Sequence, residues 1–362
     1  MSSHESLWSA DLALIAKEGV SEENFSEEKA GKVILSKIRK FYERLRAEIS
    51  KVIVGQDEVI DLILIAMLSK GHVLLEGVPG LGKTLIFKTL SRLMSLSFQH
   101  VQFTPDLMPS DILGTEILES DPTTGERRLR FLKGPVFCHF LLADEINRTS
   151  PKTQAALLQA MQDREVSIGG KTHTLEQPFF VLATQNPMDQ EGVYPLPEAQ
   201  LDRFMFNVFI DYPAYDDEME IARRYTRGGS TEVQSVMTRD DMLGLQAMVR
   251  AVLISEPVLK YAVDLAVSSR PRPDHPFDFI TSWVQTGAGP RATLNLILAA
   301  KARALLKGRF CAASDDIRAV ASSVLRHRIK LNFTAQAEDV RPQEVIRRLL
   351  AQVPDPRGKN KF

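Results

Sequence analysis

The chain has 362 residues, of which 44% are hydrophobic and 25% are charged, so it is long enough to fold into more than one compact unit. The net charge of −1 provides no basic field for nucleic acid, which makes such a partner unlikely, although a cleft could still be locally basic. The longest apolar run near the start, residues 62–68, is too short to cross a membrane, and Glu5 and Asp11 argue against a signal peptide, so we expect a cytoplasmic protein.

The first part of the chain is predicted to be an extension followed by helix. Residues 1–32 are acidic and form the extension, helical or loosely ordered. Residues 34–70 have helical periodicity, which is broken at Val54-Gly55-Gln56. The pattern therefore predicts helix on both sides of that break.

A glycine-rich loop follows the first predicted strand. A hydrophobic run at residues 72–76 leads into Gly77-Val78-Pro79-Gly80-Leu81-Gly82-Lys83-Thr84, and Leu85-Ile86-Phe87 begins a helix. This is the G-x-x-x-x-G-K-[ST] spacing of a nucleoside-triphosphate phosphate loop. The glycines turn N–H groups toward an anion, Lys83 reaches the β- and γ-phosphates, and Thr84 offers a hydroxyl to Mg²⁺. A Gly/Pro-rich turn is the alternative, which the strand–loop–helix context disfavours.

Two carboxylates end the next strongly apolar segment. Residues 137–143 read as a strand buried on both faces of a parallel sheet, and Asp144-Glu145 follows. We expect Asp144 to hold Mg²⁺ and Glu145 to orient and activate the attacking water, because phosphoryl transfer requires positioning and charge neutralisation. The alternative is a strand that ends in two solvated acids. Cys138 lies in this strand, and Cys311 is likewise predicted to be a small core residue of a reducing compartment.

Two β-hairpins are predicted within the α/β part. Gly169-Gly170 joins alternating strands at 165–168 and 171–175, and a turn at 121–125 joins 115–118 to 129–131. A bare nucleotide site needs neither, and insertions in a compact domain are usually functional or disordered. The alternative is that the two hairpins are additions at the edge of the domain without a function of their own.

A third strand, residues 179–184, delivers Gln185-Asn186-Pro187 to the same edge of the sheet. Catalytic residues of open α/β sheets gather at the carboxyl ends of neighbouring strands. Asn186 is therefore a candidate to contact the γ-phosphate or the attacking water. A simple Asn-Pro turn is the alternative.

Two arginines are candidates for the phosphate site. Arg203 lies in a loop after Tyr194-Pro195-Leu196-Pro197, where an arginine finger would lie; its alternative is a local ion pair with Asp202 or Glu198. Strands stop after residue 211, and the remainder reads as helices. Pro290 begins one of them, and a cation at Arg291 opposes the helix dipole, which suggests an outside anion such as a nucleotide phosphate.

These motifs together resemble the AAA+ ATPases, and within them the MoxR family. The resemblance covers about residues 41–353. It rests on the following segments: Leu142-Ala143-Asp144-Glu145-Ile146-Asn147-Arg148 as Walker B, Ala183-Thr184-Gln185-Asn186-Pro187 as sensor 1, and the long run Glu191-Gly192-Val193-Tyr194-Pro195-Leu196-Pro197-Glu198-Ala199-Gln200-Leu201-Asp202-Arg203-Phe204.

The resemblance implies roles that spacing alone does not give. Val54-Gly55-Gln56 is similar to the segment that cups adenine, which implies ATP. Arg203 would act on the ATP of a neighbouring subunit, and Arg291 would be the sensor 2 arginine of the lid. The two hairpins would be the helix-2 and pre-sensor-1 insertions, which face a central channel or a bound partner.

We therefore expect an α/β P-loop NTPase (AAA+) core with a parallel sheet, followed by an all-α lid domain. The expected domains are an extension at 1–32, a nucleotide-binding domain at 33–211 and a lid at 212–362. The expected cofactors are ATP and Mg²⁺. The expected nucleotide-binding residues are Val54, Gly55, Gln56, Gly77, Val78, Pro79, Gly80, Leu81, Gly82, Lys83, Thr84 and Leu85; Thr84 and Asp144 are the metal ligands, and Glu145, Asn186, Arg203 and Arg291 are catalytic.

The expected function is an ATP-driven remodelling motor that works as a ring, most simply a hexamer. Resemblance to MoxR implies a chaperone-like role in the assembly, maturation or cofactor insertion of protein complexes, with a von Willebrand A-domain partner. Two alternatives stay open: a nucleic-acid motor, and a nucleotide-gated assembly scaffold of the gas-vesicle or chelatase type.

Overall fold

The computed structural model describes residues 25–120, 127–187, 192–227 and 232–359, and only the main chain of 25–32 and 358–359. Most of the predicted extension, the predicted turn at 121–125 and Glu191 lie outside the described residues. Within the described part, no helix is long and apolar enough to cross a membrane.

From residue 25 on, two helices precede the first strand, as predicted. They are α1 (Phe25–Ser50) and α2 (Asp57–Leu68), and the break at residues 54–56 separates them. Nine side chains of α2 are buried, so this helix lies inside the molecule. The mostly apolar sequence of α2 is typical of such a buried helix.

The α/β part continues as an alternation of strands and helices. Its elements are β1 (Val73–Glu76), α3 (Lys83–Leu93), β2 (Phe98–Gln102), α4 (Pro109–Leu113), β3 (Gly114–Ser120), β4 (Arg127–Lys133), β5 (Phe140–Asp144), α5 (Pro151–Asp163), β6 (Glu165–Ile168), β7 (Lys171–Thr174), β8 (Phe180–Gln185), α6 (Glu198–Leu201) and β9 (Phe206–Phe209). The strand that carries Asp144 begins at Phe140, three residues later than predicted.

The central sheet is parallel throughout, which confirms the predicted fold class. Its order is β2-β5-β8-β1-β9. β8 lies between β1 and β5, so the ends of all three strands meet at one edge. Because ligands of open parallel sheets bind outside the carboxyl ends of the strands, this edge is where a site is expected.

The two faces of the sheet belong to two hydrophobic cores. Alternate residues such as Leu75 and Leu182 pack with α1, α2, α3 and the lid. The opposite face, including Leu74 and Val181, packs on Leu157 of α5. Burial on both faces explains why the strands read as continuous apolar runs.

Both predicted hairpins are present. β3 pairs with β4, and β6 pairs with β7, in antiparallel register. The two hairpins contact each other, because the ring of Phe131 on β4 stacks on His173 of β7 with 4.2 Å between centroids.

The lid is helical, with elements that the sequence analysis missed. Its helices are α7 (Tyr215–Arg227), α8 (Arg239–Ala251), α9 (Glu256–Val267), α10 (Asp278–Trp283), α11 (Pro290–Leu306), α12 (Ser314–Leu325), α13 (Phe333–Ala337) and α14 (Pro342–Gln352). Among its described residues there are also four short strands: β10 (Leu253–Ile254), β11 (Val284–Thr286), β12 (Cys311–Ala312) and β13 (Lys330–Leu331). They form two small two-stranded sheets, so the expectation that strands stop after residue 211 was wrong. Runs of two or three residues are too short to show a strand period.

The two cysteines differ in environment. Cys138 is buried, and burial raises the pKa of its thiol to about 12. Cys311 is exposed in β12, which corrects its prediction as a core residue.

The lid packs directly on the α/β part. Helix α11 lies against α2 and α8, and α12 lies against β9. One hydrophobic cluster joins the sheet, α2 and the lid helices. Because this cluster is close-packed, we expect a movement of the lid to displace side chains that also pack on the central sheet.

Candidate functional site

The predicted phosphate loop, residues 77–84, connects β1 to α3 at the edge of the sheet where the carboxyl ends of the strands meet. Gly80 and Gly82 have positive φ of 89° and 76°, a region that glycine adopts without strain. A Cβ atom at either glycine would meet nothing within 4 Å, so the surface of the loop is open at these positions. Gly77 is different, since a Cβ there would collide with Ile210.

The start of α3 is suited to an anion. Gly82 is its N-cap and supplies no side-chain acceptor, and the first turn has no acidic residue. The first N–H groups and the positive end of the helix dipole therefore have no anionic side chain to satisfy them. Lys83 adds a charge, and its Nζ donates a 2.6 Å hydrogen bond to the carbonyl oxygen of Gly77. These donors match the chemistry of a polyphosphate.

Thr184, on β8, joins the two carboxylates at the end of β5. Its hydroxyl donates to Asp144 Oδ1 and accepts a 2.9 Å hydrogen bond from the N–H of Glu145. The residue has no solvent-exposed surface. His100 Nε2 lies 3.3 Å from the other oxygen of Asp144. The carboxylate of Asp144 is thus fixed from two neighbouring strands.

Glu145 is held separately from Asp144. Its main chain is left-handed, with φ of 56° and ψ of 50°, which is costly for a residue with a side chain. Gln102 Nε2 donates to Glu145 Oε2 at 2.9 Å, and Arg148 Nε lies 2.9 Å from the same oxygen. The strained turn and these two partners aim the two adjacent carboxylates in different directions.

The predicted metal ligands fit a magnesium site. No group of three or more His, Cys, Asp or Glu side chains that could hold a metal occurs among the described residues. Mg²⁺ does not require one, since it binds through one or two carboxylates, several waters and substrate phosphates. Asp144 and the hydroxyl of Thr84 are oxygen donors of the right type.

Asn186 follows β8, between the other two strand ends. Its side chain is 7% exposed, and the preceding carbonyl of Gln185 accepts a hydrogen bond from the Gly77 N–H at 3.3 Å. The end of β8 is thereby tied to the first residue of the phosphate loop. The structure brings Asn186 to the edge that carries Lys83 and Asp144, as the sequence predicts.

The segment before the predicted arginine finger is anchored to the loop after Glu145. The Tyr194 N–H donates to the carbonyl of Asn147 at 2.7 Å. Gln154 of α5 has no exposed surface, and its amide donates to the carbonyls of Ile146, Thr149 and Tyr194. One buried glutamine therefore joins the two segments.

Val54-Gly55-Gln56 lies against the junction between sheet and lid. Gln56 Nε2 donates to the carbonyl of Asp211 at 2.9 Å, and a Cβ at Gly55 would lie 2.5 Å from Asp217 Oδ2. The predicted adenine segment is thus beside the start of α7, away from the strand ends that carry the carboxylates.

A half-buried acid and a lid arginine lie next to the start of the predicted phosphate loop. Glu76, the last residue of β1, accepts a 2.5 Å hydrogen bond from Asn207 Nδ2. Burial raises the pKa of Glu76, while Asn207 and the charge of Arg326 oppose the rise. Arg326 lies 4.4 Å above the ring of Phe209, so α12 contacts the strand next to the loop.

Both candidate partners of Arg203 are engaged by the lid. Asp202 pairs with Arg291 at 2.9 Å and with Arg328 at 2.7 Å. Glu198 pairs with Lys330 at 2.5 Å. The guanidinium of Arg203, which is half-buried, makes no ion pair or hydrogen bond with any residue in the described segments. The local ion pair considered for Arg203 is therefore not formed.

Arg291 has a partner within the chain. The sequence suggested an outside anion for this cation, whereas the structure supplies Asp202, 89 positions earlier. Arg291 is 43% exposed, so its ion pair with Asp202 is at the surface and Arg291 can exchange Asp202 for another anion.

Sequence reasoning missed the residues that contact Asp144, Glu145 or the segment around Arg203. They are His100, Gln102, Arg148, Gln154, Thr184 and Arg328. For Gln102 and Thr184 a signal existed, since both lie in the last two residues of strands that border β5. For Arg328 no local signal exists, because its partners around Arg203 lie 123 to 126 positions away.

Two family profiles match the chain. Residues 72–206 match the ATPase family associated with various cellular activities (AAA), and residues 281–349 match the AAA lid domain. The two matches correspond to the parallel sheet and to the second half of the lid.

Curated relatives match over most of their length. Chaperone MoxR1 of Mycobacterium tuberculosis is 44% identical over 313 residues, which are 86% of this chain and 81% of that protein. YeaC of Bacillus subtilis is 40% identical over 85% of this chain and 92% of its own. Protein MoxR of Methylorubrum extorquens is 30% identical over 90% of this chain and 98% of its own length. The crystal structure of a Cytophaga hutchinsonii protein superimposes with a TM-score of 0.84 at 41% identity, covering 91% of this chain and 99% of that one.

Proposed function

The chain belongs to the MoxR family of AAA+ ATPases, and from this premise we propose that it is an ATP-hydrolysing motor that acts as a chaperone on partner protein complexes. The observation that carries the ATPase part is the convergence of three strand ends. The phosphate loop, Asp144-Glu145 and Asn186 leave β1, β5 and β8, which are neighbours in the sheet.

Each group has a distinct task in the proposed reaction. Residues 77–84 bind the phosphates through main-chain N–H groups and the ammonium of Lys83, which exchanges Gly77 O for phosphate oxygen. Glu145 orients the attacking water, and Asn186 contacts that water or the γ-phosphate. Mg²⁺, when bound, neutralises charge on the phosphates, and Asp144 and Thr84 would hold it.

We further propose that ATP binds between an α/β domain at 33–211 and a lid at 212–362. The contact of Gln56 with Asp211 supports this, because the adenine segment then touches the domain junction. A nucleotide at a junction of this kind couples its own hydrolysis to lid rotation.

The active form in this proposal is a ring, most simply a hexamer, in which Arg203 reaches the ATP of the neighbouring subunit. Support comes from the charges around Arg203. Its acidic neighbours Asp202 and Glu198 are neutralised by lid cations, and its own charge has no partner among the described residues. A half-buried arginine of this kind is suited to an external phosphate.

The chaperone role rests on the relatives. The Mycobacterium tuberculosis protein is named a chaperone, and the proposed tasks are assembly, maturation or cofactor insertion of protein complexes in the cytoplasm. A von Willebrand A-domain protein is the proposed partner, by family resemblance alone.

A trapped ring tests this function. Glu145→Gln loaded with ATP in native extract should retain its partner, whereas Lys83→Ala, which cannot load, serves as the matched control. The chaperone function is supported if a von Willebrand A-domain protein is recovered in stoichiometric amount with Glu145→Gln and is absent with Lys83→Ala. Nucleic acid in its place, or a ring without a partner, would favour a helicase-like motor or a nucleotide-gated scaffold.

A further inference from the structure

One lid arginine holds the chain on both sides of Arg203. Arg328, just after α12, donates from Nε to Asp202 Oδ1 at 2.7 Å, and from Nη2 to the carbonyls of Asp202 at 2.9 Å and Phe204 at 2.6 Å. Nη1 reaches the carbonyl of Met205 at 3.3 Å. The arginine-finger loop, residues 202–205, thus accepts four hydrogen bonds from a single guanidinium.

The environment of Arg328 makes these contacts strong. Its side chain is 2% exposed, and burial lowers the pKa of Arg328 while the carboxylate of Asp202 raises it. A buried charge is tolerated only when it is paired and hydrogen-bonded. The fork of five N–H groups satisfies several acceptors in one geometry, which a lysine cannot do.

A second lid residue contributes to the same loop. Nε2 of His327 donates to the carbonyl of Phe204 at 3.2 Å. Phe204 itself is fully buried, so the residue after Arg203 is fixed by packing as well as by hydrogen bonds. The guanidinium of Arg203, by contrast, makes no hydrogen bond or ion pair within the described part of the chain.

We propose that Arg328 is a positioning residue for Arg203, and that through it the lid of one subunit sets the finger that acts on the ATP of the next. This inference rests on the proposed ring function. Arg328 touches no reacting atom. Displacement of the lid moves the donor nitrogens of four hydrogen bonds to the loop at once, so a change in one subunit's lid changes catalysis in its neighbour's site. A displacement of about 1 Å in such a group costs about a hundredfold in rate.

The test is complementation in mixed rings with Arg328→Lys. A homogeneous ring of this variant should hydrolyse ATP about a hundredfold more slowly with KM within about twofold, because its own phosphate loop is intact. Mixing it with Lys83→Ala subunits, which keep a normal finger loop, should restore activity. Mixing it with Arg203→Ala subunits should not, since both partners then lack a positioned finger.

The opposite pattern would overturn the inference. If Arg328 acts on its own subunit's nucleotide, Arg328→Lys is rescued by Arg203→Ala and not by Lys83→Ala. Wild-type turnover in the homogeneous ring also overturns it. Arg318→Lys is the matched control: Arg318 lies on α12 and donates to Tyr261 Oη at 2.9 Å and the carbonyl of Leu350 at 2.8 Å, away from the finger loop. Turnover by this control should stay at the wild-type level.

Two further measurements keep the outcome unambiguous. Mixing Arg203→Ala with Lys83→Ala, without any change at Arg328, tests the ring function by itself; no rescue there, in rings shown to be mixed, overturns the action of Arg203 in a neighbouring site and the inference with it. If Arg328→Lys fails to fold, as judged by circular dichroism and ATP calorimetry, Asp202→Asn replaces it. That variant keeps the main-chain acceptors but loses the ion pairs of Asp202 with Arg328 and Arg291, and it should show the same complementation pattern with a loss of about tenfold.

Discussion

Nζ of Lys83 donates a 2.6 Å hydrogen bond to the carbonyl oxygen of Gly77, so the last turn of the phosphate loop is tied back to its first residue. The ammonium therefore lies across the loop and beside the N–H groups at the start of α3. A polyphosphate at this position gains a charge-assisted hydrogen bond from Lys83 in exchange for a neutral acceptor.

Lys83→Ala should abolish ATP binding. The variant removes the only side-chain cation in the phosphate loop, and charged hydrogen bonds contribute about 1.5–3 kcal/mol each even before the loop loses its shape. Calorimetry should detect no binding at ATP concentrations that saturate the unaltered protein. Lys88→Ala, on the exposed side of the same helix, is the control; unchanged affinity of Lys83→Ala would remove the phosphate-loop assignment.

Glu145→Gln should separate binding from hydrolysis. The amide keeps the size of the side chain and its contact to Gln102, but it cannot take a proton from water. We expect ATP affinity within about threefold and turnover lower by about 10²–10⁴. Single-turnover hydrolysis measures this directly, and a near-normal rate would contradict the role given to Glu145.

Thr184→Val should weaken the site without changing its outline. Valine fills the same space but leaves Asp144 Oδ1 and the Glu145 N–H without their shared partner in a buried place. A lost partner of this kind costs about 1–3 kcal/mol, so turnover should fall about tenfold or more. Thr89→Val makes the same exchange at a buried site on α3 and should leave turnover unchanged. Equal rates for the two variants would show that Thr184 does not order the carboxylates.

The sequence was informative where local pattern and sheet topology determine the outcome. Lys83, Asp144 and Asn186 each follow an apolar run, and a parallel sheet brings the carboxyl ends of its strands to one edge. Their convergence follows from these two facts alone. The fold class was predictable for the same reason, and the family from the resemblance of several segments to MoxR proteins.

Long-range ion pairs were not predictable. The dipole of α11 suggested an outside anion for Arg291, whereas the anion found beside it, Asp202, lies in a distant part of the same chain. Arg328 has no sequence signature, since an arginine just past a helix end is ordinary at a surface. Its role is visible only when burial and four acceptors are seen together.

His72 should give the protein a measurable acid sensitivity. Its Nδ1 accepts a 3.0 Å hydrogen bond from the Val181 N–H and its Nε2 donates to the Met161 carbonyl at 3.2 Å, so the neutral ring is the one that fits. Burial lowers the pKa of His72 to about 4, from 6.5 in the unfolded chain. Between these values the unfolded state binds more protons than the folded state, and stability therefore falls as the pH falls.

The comparison with His72→Gln isolates this contribution. Glutamine can accept from Val181 and donate to Met161 but does not titrate, while every other group stays the same in both proteins. Stability linked to His72 is fully present above pH 6.5 and is lost toward pH 4, so the free energy of unfolding of the wild type should drop by about 3 kcal/mol more than that of the variant. Urea unfolding of both proteins at several pH values in this window measures the difference. Parallel curves would mean that His72 is already charged in the folded protein, in conflict with its hydrogen bond from Val181.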